Sequence, residues 1–227
     1  MSCLYVFGDS LTKGIVFDSF KRRYTVTSRS FAELISKLWG KDIKNYSCMG
    51  CTVDKGEDIF RRHLDDITDR DVLFEYGGND SDHNWKEIAA DPEGDHHPRV
   101  ELNVFYDKYK ALLEESLAKG LSPKLITLPP IDAVKYFNWI SRDMDDEEKD
   151  NILRWLGGSV EYIYKWHEMY NIKILELARE MNIPVIDIRT GFLMHKNYSV
   201  YLCEDGIHPN EQGHELIYEI IKGSENA

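Results

Sequence analysis

A serine, a histidine and a carboxylate can together transfer an acyl group. This sequence offers such a set in Ser10 near one end and an Asp-x-x-His, Asp205 to His208, near the other. Serine is a poor nucleophile until a base takes its proton, and the base works best when a third group fixes its tautomer. Ser10 would attack, His208 would remove the proton, and Asp205 would hold the imidazole. Histidine suits the base role because its unperturbed pKa lies near neutrality. Acyl transfer also needs donors aimed at the oxygen that becomes negative. The backbone N–H groups of Ser10 and Gly50 and the side-chain amide of Asn79 are the candidates. A glycine at 50 leaves no Cβ to obstruct substrate, and the Asn79 NH₂ stays uncharged at any working pH.

Each of these residues also has a plain structural reading. Ser10 could cap a helix, Asn79 and Asp80 could be turn residues, Gly50 could sit in a left-handed turn, and Asp205-Gly206 is a good turn pair. Position along the chain separates the two readings. Apolar runs at Cys3 to Phe7, Asp42 to Ser47, Asp71 to Tyr76, Lys124 to Leu128 and Pro184 to Ile188 read as five strands. Helical spacing marks Ser30 to Trp39, Glu57 to Ile67, Val104 to Lys119, Ser159 to Met181 and Asn210 to Lys222. Strands alternating with helices predict an α/β fold with a five-stranded parallel sheet covered on both faces. Ligands of such sheets bind beyond the carboxyl ends of the strands. The polar clusters fall there: Gly8-Asp9-Ser10, Gly50, Gly77 to Asp80, then Asp205 and His208. Packing alone does not call for polar groups at four strand ends.

The 227 residues suit a single domain spanning 1–227, with 42% hydrophobic and 30% charged residues, an ordinary globular balance. A net charge of −12 works against a nucleic-acid partner, and Lys21, Arg22 and Arg23 are too short a basic run to reverse that. No apolar run is long enough to cross a bilayer, so no membrane insertion is expected. The opening MSCLYVFGDS lacks a basic, cleavable leader pattern, which leads to the expectation of a cytoplasmic protein. Cys48 and Cys51 form a Cys-x-x-Cys, but a glycine lies between them and no second pair completes a zinc set. They read as reduced, incidental thiols, and neither a metal nor a cofactor is expected. His83, His96, His97 and the carboxylates of Asp80 and Asp82 could be read as a metal cluster, but Asp82 and His83 are adjacent and point apart in an extended chain.

Phe7 to Gly14 (FGDSLTKG), the Gly50 loop, Gly77-Gly78-Asn79-Asp80 and Asp205 to Asn210 (DGIHPN) resemble the four signature blocks of the GDSL, or SGNH, hydrolases. The family's serine, glycine, asparagine and histidine map onto Ser10, Gly50, Asn79 and His208. The resemblance implies a three-layer, flavodoxin-like α/β/α fold and metal-independent ester hydrolysis. It runs from residue 7 to residue 210, nearly the whole chain. The Gly-x-Ser-x-Gly elbow of the larger α/β-hydrolases is absent around Ser10.

The blocks specify chemistry rather than substrate. Substrate choice should lie in Ser81 to Val100 and Ile131 to Ser159, which are polar and aromatic: His83, Trp85, Tyr136, Trp139 and Trp155 stand out. Asp80, His83, Trp85 and Trp139 are the candidate substrate contacts. Aromatic faces among hydrogen-bonding groups suit a sugar ring, while a lipase would show a broad apolar patch. The expected substrate is a small-molecule or oligosaccharide ester, with acetyl groups on sugar hydroxyls foremost. The alternatives are a lysophospholipase, thioesterase or acyltransferase on the same residues, or a catalytically inactive carbohydrate-binding relative.

Overall fold

In the computed structural model, which describes residues 2–224, the chain opens with β1 (Cys3–Gly8), a one-turn helix α1 (Ser10–Lys13) and two short strands, β2 (Ile15–Asp18) and β3 (Arg23–Val26). Then follow α2 (Phe31–Trp39), β4 (Asp42–Asn45), α3 (Val53–His63), β5 (Asp71–Glu75), α4 (Trp85–Ala90), α5 (Leu102–Ala118) and β6 (Ser122–Ile126). The last third holds α6 (Ala133–Ile140), α7 (Asp146–Trp155), α8 (Glu161–Met181), β7 (Val185–Ile186), α9 (Ile188–Leu193) and α10 (Glu211–Ser224).

Five strands form a parallel sheet in the order β4-β1-β5-β6-β7. This is the flavodoxin-like order, with the chain reversing direction across the sheet at β1. Alternation along β1 sorts the two faces: Tyr5 and Phe7 point into one core with Phe60 of α3, Phe105 and Leu112 of α5 and Ile174 of α8. Leu4 and Val6 point into the other, with Phe31 and Ile35 of α2, Phe192 of α9 and Ile217 of α10. Three layers result, as expected.

Strand β6 starts at Ser122 rather than Lys124, with Pro123 inside it. Leu125 and Thr127 donate toward the β7 side, to Pro184 and Ile186. The nitrogen of residue 123 faces that same side beyond the end of β7, so the missing N–H costs no ladder bond. β7 itself is two residues, because the Asp187 carboxylate accepts the Thr190 N–H at 3.0 Å and caps α9 at once.

Two features lie outside the expected pattern. β2 and β3 pair antiparallel, Phe17 opposite Tyr24 and Asp18 opposite Arg23. Their turn has no Asn-Gly signal; Asp18 accepts the Lys21 N–H at 2.9 Å and Arg22 adopts a φ of 50°. α4, α6 and α7 build a small lobe with its own core of Trp85, Ile88, Tyr136, Ile152 and Leu156. Asp145 and Glu148 start α7 with reciprocal capping bonds.

Candidate active site

Ser10 is the first residue of α1, immediately beyond β1. Asp9 turns the chain there by accepting the Leu11 N–H at 2.8 Å. Gly8 has to be glycine: a Cβ would stand 2.3 Å from Thr12 Oγ1 and 2.8 Å from the Glu75 carbonyl oxygen. That close approach presses the serine turn against the end of β5.

The same turn is tied to the loop after β4. Thr12 donates to Ser47 Oγ at 2.8 Å, Asn45 Nδ2 donates to the Thr12 carbonyl at 2.7 Å, and the Cys48 N–H donates to the Gly8 carbonyl at 3.1 Å. Gly50 lies in that loop with φ 71°, and nothing is within 4 Å of where its Cβ would be. The left-handed backbone by itself calls for glycine here, the turn position that the sequence offered as the structural reading. Gly50 is half-buried and is not among the residues lining the cavity beside Ser10.

Beyond β5, the Asn79 side chain donates one amide hydrogen to Asp9 Oδ2 at 2.7 Å. An amide has two such hydrogens, so this bond orients the group and leaves the other for an oxyanion. Burial pushes the Asp9 carboxyl up from its ordinary value, against hydrogen bonds that lower it. Its neighbour Glu75 is driven well above its ordinary value by burial and by the Asp9 charge. Asp80 is not placed to bind substrate. It is fully buried and accepts the Val53 and Gly77 N–H groups at 2.8 and 3.0 Å, fastening α3 to the Asn79 turn. Burial raises its carboxyl to about 7.

Ser10, His208 and Asp205 come from opposite ends of the chain and meet. His208 Nε2 is 2.9 Å from Ser10 Oγ, and His208 Nδ1 donates to Asp205 Oδ2 at 2.6 Å. The Asp205 side chain accepts the Ile207 and His208 N–H groups on Oδ1, both at 3.0 Å. Burial works against its charge, but the His208 side chain and these N–H groups hold it below the usual carboxylate value. With Nδ1 donating, Nε2 is left as the acceptor that a serine proton needs. The arrangement can make Ser10 a nucleophile, and it holds an amide donor beside it at Asn79.

A cavity of about 90 Å³ opens beside Ser10, lined by Asn79, His83, Trp85, Trp155 and Trp166 and floored by Leu128 and Ile131. A single water needs roughly 10–15 Å³ on this measure. Rings pack its wall: His83 lies 4.9 Å from Trp155 and 5.5 Å from Trp85. Burial lowers the His83 imidazole to about 4. Asp82 braces the wall, accepting from Tyr136 Oη at 2.6 Å, Trp85 Nε1 at 2.9 Å and Arg99 Nη2 at 3.0 Å. Nothing in the sequence marks that brace, since its members are spread over the loop before α4, α4 itself, the loop between α4 and α5, and α6. Trp139 does not line the cavity. It packs instead against the β2–β3 hairpin, edge-on to Phe17 at 4.6 Å and to Tyr24 at 6.2 Å.

Cys48, Cys51, Cys3 and Cys203 are free thiols, and burial pushes Cys51 above its ordinary value. Among the described residues, no group of three or more His, Cys, Asp or Glu is arranged to hold a metal ion, and no helix is long and apolar enough to cross a membrane.

The model of the GDSL-like lipase/acylhydrolase family matches residues 6–216. No curated protein matches the sequence. Solved structures with this fold include a lipase/acylhydrolase from Enterococcus faecalis, 18% identical, with a TM-score of 0.64 over 99% of this chain and 95% of that one. Another is an α/β hydrolase from the metagenome of Lake Arreo, Spain, 17% identical, with a TM-score of 0.68 over 99% and 95%. A third is a member of the lipolytic G-D-S-L family from Veillonella parvula, 18% identical, with a TM-score of 0.64 over 98% and 97%. At these identities the structures speak for the fold, and the family model for the lineage. The chain belongs to the GDSL-like lipase/acylhydrolase family and is a hydrolase.

Proposed function

We propose that this hydrolase is a serine esterase in which Ser10 attacks the ester carbonyl, His208 relays the proton and Asp205 orients His208. The observation that carries the reading is the 2.9 and 2.6 Å chain of hydrogen bonds from Ser10 through His208 to a fully buried Asp205. Ser10 loses its proton to His208 Nε2 as its oxygen bonds the carbonyl carbon, and the carbonyl electrons move onto oxygen. Asn79 Nδ2 and the backbone N–H of Ser10 face that oxygen, with Gly50 N–H as the third candidate. Collapse of the intermediate sends the alkoxide out, protonated by His208. Water then repeats the sequence on the acyl-enzyme.

Proton delivery also orients the substrate. The leaving oxygen must lie near His208 Nε2, and His208 is not among the cavity-lining residues. The cavity therefore suits the acyl group, while the alcohol points toward Phe17, Trp139 and solvent. A space several waters large with Leu128, Ile131, Trp85 and Trp155 around it favours an acyl group bulkier than acetyl. A sugar ester is the second reading. Trp166 Nε1 and His167 Nδ1 in the cavity wall have no hydrogen-bond partner, and a hydroxyl-bearing ring offers one.

Aryl esters of two to twelve carbons, assayed beside acetylated oligosaccharides, separate the readings. The expected outcome is a maximum between four and eight carbons, with Ser10→Ala inactive on every ester. Faster turnover of the sugar acetates would put the second reading first. Retained activity in folded Ser10→Ala would refute the nucleophile.

A further inference from the structure

The β2–β3 hairpin follows directly after the nucleophile turn and adds no strand to the main sheet. Phe17 and Tyr24 are paired across it, so both side chains leave the same face, and their rings meet at 5.3 Å. Trp139 of α6 packs edge-on to both, at 4.6 and 6.2 Å, and the Arg142 guanidinium lies 4.3 Å over the Trp139 ring. The Phe17 N–H reaches Cys203 Sγ at 3.3 Å, which ties the hairpin to the loop carrying Asp205. Tyr24 is thus packed against both Phe17 and Trp139. Its hydroxyl donates to Asp205 Oδ2 at 2.9 Å, and its ring is 5.1 Å from that of His208.

Asp205 has no exposed surface and four donors: the two N–H groups of its own loop on Oδ1, then His208 Nδ1 and Tyr24 Oη on Oδ2. Four is about what an ionised carboxylate can accept. Without the phenol, Oδ2 would keep His208 alone, on a carboxylate that has no exposed surface of its own. A buried charge left short of partners is costly.

We propose that Tyr24 is a positioning residue of the esterase site, its hydroxyl holding the Asp205 carboxylate in line with His208 throughout turnover. This rests on the triad reading above. Burial and the Asp205 charge push the phenol well above its ordinary range, so it remains a donor at any working pH. Because the phenol and the imidazole share one carboxylate oxygen, each draws on the same negative charge. Removing the phenol leaves more of that charge facing His208 and favours its protonated form. The other titratable or charged groups near the pair are Arg142, Cys203, Asp9 on the serine side and His214 on α10.

Tyr24→Phe keeps the ring and deletes only the donor, so its thermal unfolding should stay near that of the unaltered protein. On a simple aryl ester, kcat should fall about tenfold, the scale of one hydrogen bond to a charged group. KM should stay within about twofold, since Tyr24 is not among the cavity-lining residues. The acid limb of kcat/KM should move to higher pH, and the downfield proton resonance of His208 Nδ1–H should shift. A folded Tyr24→Phe with unchanged kcat and an unmoved acid limb would overturn the proposal. So would equal losses in kcat and stability with no change in the pH profile, which is what packing alone would give. Ser10→Ala serves as the separate control. If it stays active, the triad reading fails; if it is dead while Tyr24→Phe behaves as the unaltered enzyme, only the role of Tyr24 falls.

Discussion

On one side of Ser10, Trp85, Trp155 and Trp166 stand around an open cavity. In the hairpin region, Phe17, Tyr24 and Trp139 close on one another, and the Tyr24 ring lies 5.1 Å from that of His208. Composition does not distinguish these regions, since both are aromatic with a few polar tips. Their supports do. The cavity rings come from α4, α7 and α8, with Trp85 held directly by Asp82, and space remains between them. The hairpin rings are paired on adjacent strands and capped by one helix, and Tyr24 directs its hydroxyl onto Asp205. One region is shaped to receive a group, and the other to hold one still.

If that division is right, changes on the hairpin side should act on every substrate alike, while changes on the cavity side should depend on the acyl group. The largest effect is expected for Asp205→Asn, which keeps the shape but favours the wrong His208 tautomer. A loss on the order of 10⁴ in kcat is expected, equal for acetyl and hexanoyl esters. A loss confined to long esters would break the comparison. Next, Trp155→Ala should lower kcat/KM for six-carbon or benzoyl esters by roughly ten- to a hundredfold, the scale of a buried apolar group. Aryl acetate should change by less than about threefold; equal loss on both would mean that the cavity does not take the acyl group.

The smallest effect concerns stability. His83 is buried in the cavity wall, and burial depresses its imidazole to about 4 from an ordinary 6.5. A depressed folded value means that the neutral ring's full contribution is present above about pH 6.5. It is then lost as pH falls toward 4, where the unfolded chain takes up a proton that the folded one refuses. His83→Gln removes that proton uptake, so the difference in Tm between the two proteins should shrink from pH 7 to pH 4. A constant difference would show that His83 does not stay neutral.

The strand-end reading worked because parallel strands must be apolar on both faces, which leaves their polar punctuation conspicuous. Gly8-Asp9-Ser10, Asn79 and Asp205 with His208 could be seen for that reason. Other parts were hidden for equally physical reasons. The hairpin is short, half exposed and turned by an unusual Arg22 rather than by Asn-Gly. The cavity lobe is built from helices of six to ten residues, too short for a strong period of their own. Asp80, adjacent to Asn79 in sequence, looked like a substrate contact, yet its two backbone hydrogen bonds place it behind the turn.

By itself, the sequence determined the order of the five sheet strands and of α2, α3, α5, α8 and α10, and the residue types at the strand ends, because these follow from local periodicity and from residues that end strands. Tertiary structure alone decided which aromatic rings surround a cavity and which clamp Asp205. Those roles depend on distances between Trp139 and Phe17, Trp155 and His83, and Tyr24 and Asp205, pairs far apart in the chain. Such pairs meet only when the sheet and lobe have closed.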